Sequence, residues 1–211
     1  IKNYKNKILL NYEQKKSLEF IEKVGKKFNV TVLEGVTGSG KTLVYFSRVK
    51  DLVDSGLQAL ILLPEIALTN QFAKKFKEFF GVEPAIWHSG ASKKDKSIIW
   101  KGITEDKIKI VIGARSSLFL PFKKLGIIVV DEEHDTSFKQ QDGFRYSARD
   151  LAVMRAREEN ICIVLGSATP CLESLQNALS GKFSHLKLLN RAGNAQSPTL
   201  RLIDVSNEYT E

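Results

Sequence analysis

At 211 residues and 43% apolar content, the chain suits one packed domain of moderate size, or one domain with a tail. No apolar run approaches transmembrane length and no signal peptide precedes the first strand, so neither a membrane-spanning nor a secreted role is expected. The net charge of +8 points to a polyanionic partner, nucleic acid first, with a solvated Lys-rich surface as the alternative.

The first local signal is Asn11-Tyr12-Glu13-Gln14, an N-cap followed by Gln at the third helical position. The apolar, β-branched run Val30–Leu33 then enters Gly35-Val36-Thr37-Gly38-Ser39-Gly40-Lys41-Thr42, which fits G-x-x-x-x-G-K-[ST] at every fixed position. Glycines let the backbone wrap a polyphosphate with its N–H groups turned inward. Lys41 is suited to reach the β- and γ-phosphates of ATP, and the Thr42 hydroxyl to hold Mg²⁺. Thr42–Val53 reads as the helix that follows, its N-terminus favouring anions.

A second strand, Ala59–Leu63, leads into Leu63-Pro64-Glu65-Ile66-Ala67-Leu68-Thr69. In the helix Asn70–Phe80, Phe72, Phe76, Phe79 and Phe80 follow the helical period and read as core rather than as a nucleotide box. Ala85–His88 and Ile108–Ile112 are further strands, the latter ending in Gly113-Ala114-Arg115-Ser116. Lys26-Lys27 and Lys93-Lys94 read as solvated faces, and His88 and Ser89 carry no assignment.

Ile127–Val130 ends abruptly in Asp131-Glu132-Glu133-His134. A carboxylate at the end of a buried strand beside a phosphate loop suits Mg²⁺, and the next suits the attacking water, so Asp131 is assigned to the metal and Glu132 to the water. The loop Phe138–Tyr146 mixes aromatic rings with Lys139 and Arg145, a combination suited to single-stranded DNA; anchoring of Phe138, Phe144 and Tyr146 onto the core is the alternative. Arg149–Glu158 reads as a helix and Ile161–Leu165 as a strand, with Cys162 a small core residue. Gly166-Ser167-Ala168-Thr169-Pro170 and a helix over Pro170–Ser180 follow.

Near-continuous apolar strands alternating with helices predict an α/β fold, a mostly parallel sheet with helices on both faces. Residues 1–189 are expected to form this lobe and 190–211 a linker or the start of another module, with Leu200–Val205 a short strand candidate. The chain starts at Ile1 and ends on a polar tail, which predicts a piece of a longer protein; removal of an initiator Met by processing is the alternative. Two cysteines, Cys162 and Cys171, are too few for a disulfide framework or a four-ligand zinc site, and the three histidines lack metal-ligand spacing. A reduced, cytoplasmic setting follows as the expectation.

The segments after these strands, in this order and with the Asp-Glu-Glu-His box, resemble the motor motifs of superfamily 2 helicases. The stretch Asp131–Asp150, with Leu10–Gln14, Val111–Ser116 and Arg191–Ala195, more specifically resembles the PriA family of bacterial primosomal helicases, over about Leu10 to Asp204. That resemblance implies the first RecA-like lobe of an ATP-driven, 3′ to 5′ DNA motor that unwinds stalled forks and helps reload the replicative helicase. It implies a DNA-binding domain, a zinc module and a second lobe elsewhere in the parent, and primosome and replication proteins as partners. No zinc ligand is carried over to this chain.

The resemblance also implies that Gln14 contacts adenine, and that the Phe138–Tyr146 loop couples single-stranded or forked DNA to hydrolysis. Thr69, Arg115 and Ser116 are read as backbone-phosphate contacts, Ser167 and Thr169 as the link from the γ-phosphate to the DNA face. For Arg115 a surface ion pair is the alternative, and for Ser167 and Thr169 a plain turn. His134 is weighed equally as a γ-phosphate sensor bonded to Ser167-Ala168-Thr169 or as a turn cap. Leu43 departs from the acidic residue expected there, and Glu133 from the Ala of many helicases. A different superfamily 2 translocase and a non-enzymatic scaffold lobe are the rival readings.

Overall fold

The computed structural model describes residues 9–141, 143 and 145–191. Seven parallel strands form one sheet: β1 (Asn29–Gly35), β2 (Gln58–Leu62), β3 (Ala85–Trp87), β4 (Ile110–Gly113), β5 (Leu125–Asp131), β8 (Cys162–Ser167) and β9 (Ser184–Leu188). Their order across the sheet is β3-β4-β2-β5-β8-β1-β9. Two-residue strands β6 (Lys139–Gln140) and β7 (Tyr146–Ser147) pair antiparallel as a separate hairpin. Helices α1 (Tyr12–Val24), α2 (Lys41–Asp54), α3 (Asn70–Phe80), α4 (Lys93–Thr104), α5 (Ala148–Glu158) and α6 (Leu172–Leu179) connect them.

Side chains alternate across each strand, and both faces are apolar. Leu33, Ile61, Ile127 and Val129 face a layer that includes Ile21 of α1, Tyr45, Phe46 and Val49 of α2, and Phe76 and Phe80 of α3. Val32, Leu60, Ile128 and Val130 face the opposite layer, with Ile99 and Ile103 of α4 and Ala148, Ala152 and Ala156 of α5. The Phe46 ring meets all four phenylalanines of α3 at centroid distances of 5.0–5.8 Å. Phe76 and Phe80 are core, while Phe72 and Phe79 are only partly buried against it.

The expected strands and helices are present, with ends shifted by a residue or two. Besides the short β6 and β7 strands in the expected Phe138–Tyr146 loop, α4 and β9 are additional. The polar opening of α4 hides its period, but Ser92 caps it by accepting from the Asp95 N–H, and Ile99 and Ile103 are buried. β9 alternates His185 and Lys187 with Leu186 and Leu188 on an edge, and so lacks the continuous apolar run of its neighbours. Apart from Asn190 and Arg191, the expected linker and its Leu200–Val205 strand lie outside the described residues.

The strand order matters most for function. β8, which comes late in the chain, lies between β1 and β5. The carboxyl ends of these three adjacent strands therefore carry the phosphate loop, the acid box and Ser167 side by side, where open parallel sheets bind ligands.

Candidate functional site

The loop after β1 is shaped by close approach. A Cβ on Gly35 would collide with the Ser39 hydroxyl and lie 3.1 Å from Leu188 of β9. Gly38 and Gly40 have φ of 81° and 83°, a left-handed backbone that glycine adopts without strain. Gly40 is the N-cap of α2 and no side chain caps that helix, leaving its N-terminus turned toward the loop. Lys41 is buried and its Nζ donates to the Gly35 carbonyl at 2.8 Å. The Ser39 hydroxyl is buried without a partner among the described residues.

Gln14 stands behind the loop. Its amide nitrogen donates to the Ser39 carbonyl at 2.8 Å, and its amide oxygen accepts from the Asn11 N–H at 2.9 Å in the expected capping box. It therefore braces the loop from outside the cavity. Val36 is exposed, and its N–H donates to the Leu188 carbonyl at 3.3 Å.

Asp131 closes β5 opposite Gly166 of β8, where any Cβ would come within 2.9 Å of its Oδ1. The Tyr45 hydroxyl donates to Oδ2 at 2.8 Å, whereas Oδ1 is buried with no partner among the described residues. Burial pushes the Asp131 carboxyl up to about 6, the Tyr45 hydrogen bond opposing and the Glu132 charge adding to the rise. Glu132 holds a φ of 52°, an uncommon, strained backbone for a non-glycine residue.

A cavity of about 760 Å³ joins these parts, lined by Thr37–Thr42, Asp131 and Glu132 and closed by Leu43, Phe46, Lys75, Glu78 and Phe79. An uncapped helix N-terminus, a buried lysine and two buried, unpartnered oxygens fit a polyphosphate with a divalent cation. Sequence motifs point to the loop and the acids. They miss Tyr45, one turn into α2, and the α3 side chains, which only tertiary packing delivers.

Behind the acid box, His134 Nδ1 is 2.8 Å from the Ser167 hydroxyl, which also accepts the Thr169 N–H at 2.9 Å. Ser167 is buried and Thr169 exposed. The acid box is thus physically joined to the segment after β8.

The expected DNA-contacting residues divide. Phe138 is a correction: at 2% exposure it sits in the core layer with Ala148 and Ala152, so its ring anchors the loop and is not available to a base. Tyr146 is half-buried, edge-on to Phe119 at 5.6 Å. Lys139 and Arg145 are exposed, while Phe144 lies outside the described residues. Arg115 is half-buried and donates to the Lys139 carbonyl at 3.2 Å, tying the segment after β4 to the hairpin. Ser116 is exposed and accepts from Trp87 Nε1 at 3.1 Å. Thr69 caps α3, accepting from the Phe72 N–H at 3.2 Å.

A parallel sheet with a phosphate loop after β1 and a paired acid site after β5 defines a RecA-like P-loop lobe. Residues 12–178 match the DEAD/DEAH box helicase family, and the chain belongs to it. It is 48% identical over 199 residues, 94% of this chain, to the replication restart protein PriA of Rickettsia felis, and covers 30% of that relative. Identity to PriA of Haemophilus influenzae is 44% over 209 residues, covering 99% of this chain and 28% of the relative. For PriA of Bacillus subtilis it is 40% over 201 residues, covering 94% and 25%. The chain thus spans about a third or less of the length of these relatives. RecG bound to a three-way DNA junction shares the fold, with a TM-score of 0.65, 22% identity and coverage of 90% of this chain and 25% of that one. Helicase MrfA bound to DNA and AMPPNP shares it at TM-score 0.58, 20% identity and coverage of 86% and 27%.

Proposed function

We propose that this chain is the first motor lobe of a replication-restart helicase, which binds MgATP and single-stranded DNA and couples hydrolysis to 3′ to 5′ movement at forks. The observation that carries the nucleotide half is the buried Asp131 carboxylate, whose Oδ1 has no partner among the described residues, on a residue that lines the same cavity as Lys41 and Thr42. Similarity to PriA over nearly the whole chain supports the restart role, and with it a cytoplasmic location, a second lobe, a fork-binding domain and primosome partners.

In this reading the backbone of Gly35–Thr42 wraps the phosphates, and Lys41 exchanges its bond to Gly35 for one to a phosphate oxygen. Thr42 and Asp131 would hold Mg²⁺, which when bound neutralises phosphate charge. Tyr45 favours the ionised form of Asp131 that such binding needs. Glu132 orients the attacking water and accepts its proton. Gln14 sets the loop from behind and is the residue assigned to adenine. Lys139, Arg145 and Arg115 meet the DNA backbone, and Tyr146 supplies a stacking edge. Thr69, Ser116 and Thr169 border the same face.

An arginine supplied by the second lobe is worth about 10³–10⁵ in rate in such motors. The lobe alone is therefore expected to bind MgATP weakly and to turn over very slowly. The test is ATP hydrolysis by the full-length protein with and without single-stranded or forked DNA, with Lys41→Ala as control. Stimulation by DNA that the variant lacks supports the motor. Turnover indifferent to DNA leaves a generic P-loop ATPase and sinks the helicase reading.

A further inference from the structure

Glu133 is not used by the chemistry above, yet it is the most heavily bonded carboxylate among the described residues. Its side chain is fully buried and accepts the Cys171 N–H at 2.8 Å and the Ser174 hydroxyl at 3.0 Å, both from the start of α6. The Cys171 thiol is 3.2 Å away; burial pushes this thiol up, so it acts as a donor. Arg149 Nη1 approaches the same carboxylate at 3.4 Å and also bonds to the Cys171 sulfur. The Glu133 N–H donates to the Gly166 carbonyl at 3.0 Å, so backbone and side chain are both fixed.

Two consequences follow from where these residues sit. Glu133 adjoins Glu132, whose left-handed backbone persists only if its surroundings over-determine it. The Glu133 bonds supply that restraint. Arg149 is the second residue of α5, two residues after the hairpin strand β7, and is itself 8% exposed. The other end of the hairpin begins at Phe138, which is buried in the core. Both ends of the hairpin are thus tied to the segment that carries Glu132, one through the chain and one through the Arg149 guanidinium.

We infer that Glu133 and Arg149 are a positioning pair: Arg149 carries the position of the β6–β7 hairpin to Glu133, and Glu133 sets the aim of Glu132 at the nucleotide. The inference rests on the reading of the hairpin as a DNA contact and names the route by which that contact reaches the acid box. Neither residue touches ATP or DNA. Their loss changes the response to DNA and leaves binding intact.

The experiment measures kcat and KM for ATP at zero and saturating single-stranded DNA in the full-length protein, together with DNA affinity and melting temperature. Arg149→Met and Glu133→Gln are each expected to cut the DNA-stimulated kcat by about tenfold or more, the range seen for groups that orient site residues. KM for ATP and DNA affinity stay near those of the unsubstituted protein. The double variant is no worse than either single one, and Arg149→Lys recovers much of the stimulation. Unchanged stimulation in either folded variant overturns the inference. So does failure of both variants to fold, or losses that fall equally on binding and turnover, since these assign the pair to stability alone. An unsubstituted protein that ignores DNA removes the motor reading itself, a result separate from any of these.

Discussion

The phosphate-loop end of the lobe and its hairpin edge are built on opposite principles. At the loop, four central residues sit at the end of a strand or the start of the helix behind it, and their places follow from the backbone: Gly35, Lys41, Asp131 and Ser167 are within β1, β5 and β8 or at the start of α2. At the hairpin, two strands of two residues hold exposed Lys139 in β6 and follow exposed Arg145 into β7, beside a fully buried Phe138. The first region is built on central strands and holds buried oxygens that have no partner among the described residues. The second satisfies part of its own chemistry: Arg115 bonds the hairpin backbone, and its neighbour Ser116 already bonds Trp87. Residue types suited to DNA serve equally to hold an irregular segment in place.

Removing a group from the loop end gives the largest expected effect. Glu132→Gln keeps nucleotide binding but lowers the DNA-stimulated kcat by about 10²–10⁴, as loss of a general base does. A single-turnover measurement beside a nucleotide titration checks it, and near-normal kcat would show that Glu132 does not handle the water. At the hairpin end, Phe138→Ala is expected to cost about 3–5 kcal/mol of stability, read by denaturant unfolding, because a buried ring leaves a cavity. A loss below about 1 kcal/mol would place Phe138 among the exposed side chains instead.

Asp131 extends the contrast to pH. Its folded carboxyl keeps a proton from the usual 3.8 up to about 6, where the unfolded one is ionised. The folded state binds more protons in that window, so this group's contribution to stability falls as pH rises through it, and Asp131→Asn abolishes that slope. In the proposed reading, metal binding runs the other way, since it needs the carboxylate: MgATP affinity is expected to fall as pH drops through about 6. Tyr45→Phe removes a hydrogen bond to the ionised form and moves that midpoint upward, which titration with a fluorescent nucleotide would detect. A midpoint that stays put would separate Tyr45 from the metal site.

The smallest expected effects fall on exposed cations. Lys139→Ala and Arg145→Ala leave stability within about 0.5 kcal/mol. Each weakens single-stranded DNA binding and lowers the salt slope by about 0.7 for every phosphate no longer neutralised. Unchanged slopes would reduce the hairpin to scaffold.

The order of amino acids is enough to read the α/β class and the places of β1, β2, β5 and β8, and to single out Gly35–Thr42 and Asp131–Glu132, which the fold brings together. These are local statements: a β-branched apolar run, a glycine spacing and a strand that stops on acids each carry their meaning within a dozen residues. The remainder needed the assembled fold. Only the strand order puts Ser167 between the loop and the acids, puts the Tyr45 hydroxyl on Asp131, and folds the Arg149 guanidinium back to Glu133 sixteen positions earlier. It also sent Phe138 inward while leaving Lys139 outside, a choice no periodicity records because a two-residue strand is too short to show one. Burial is a property of the assembled layers, and the residues whose function depends on it had to wait for them.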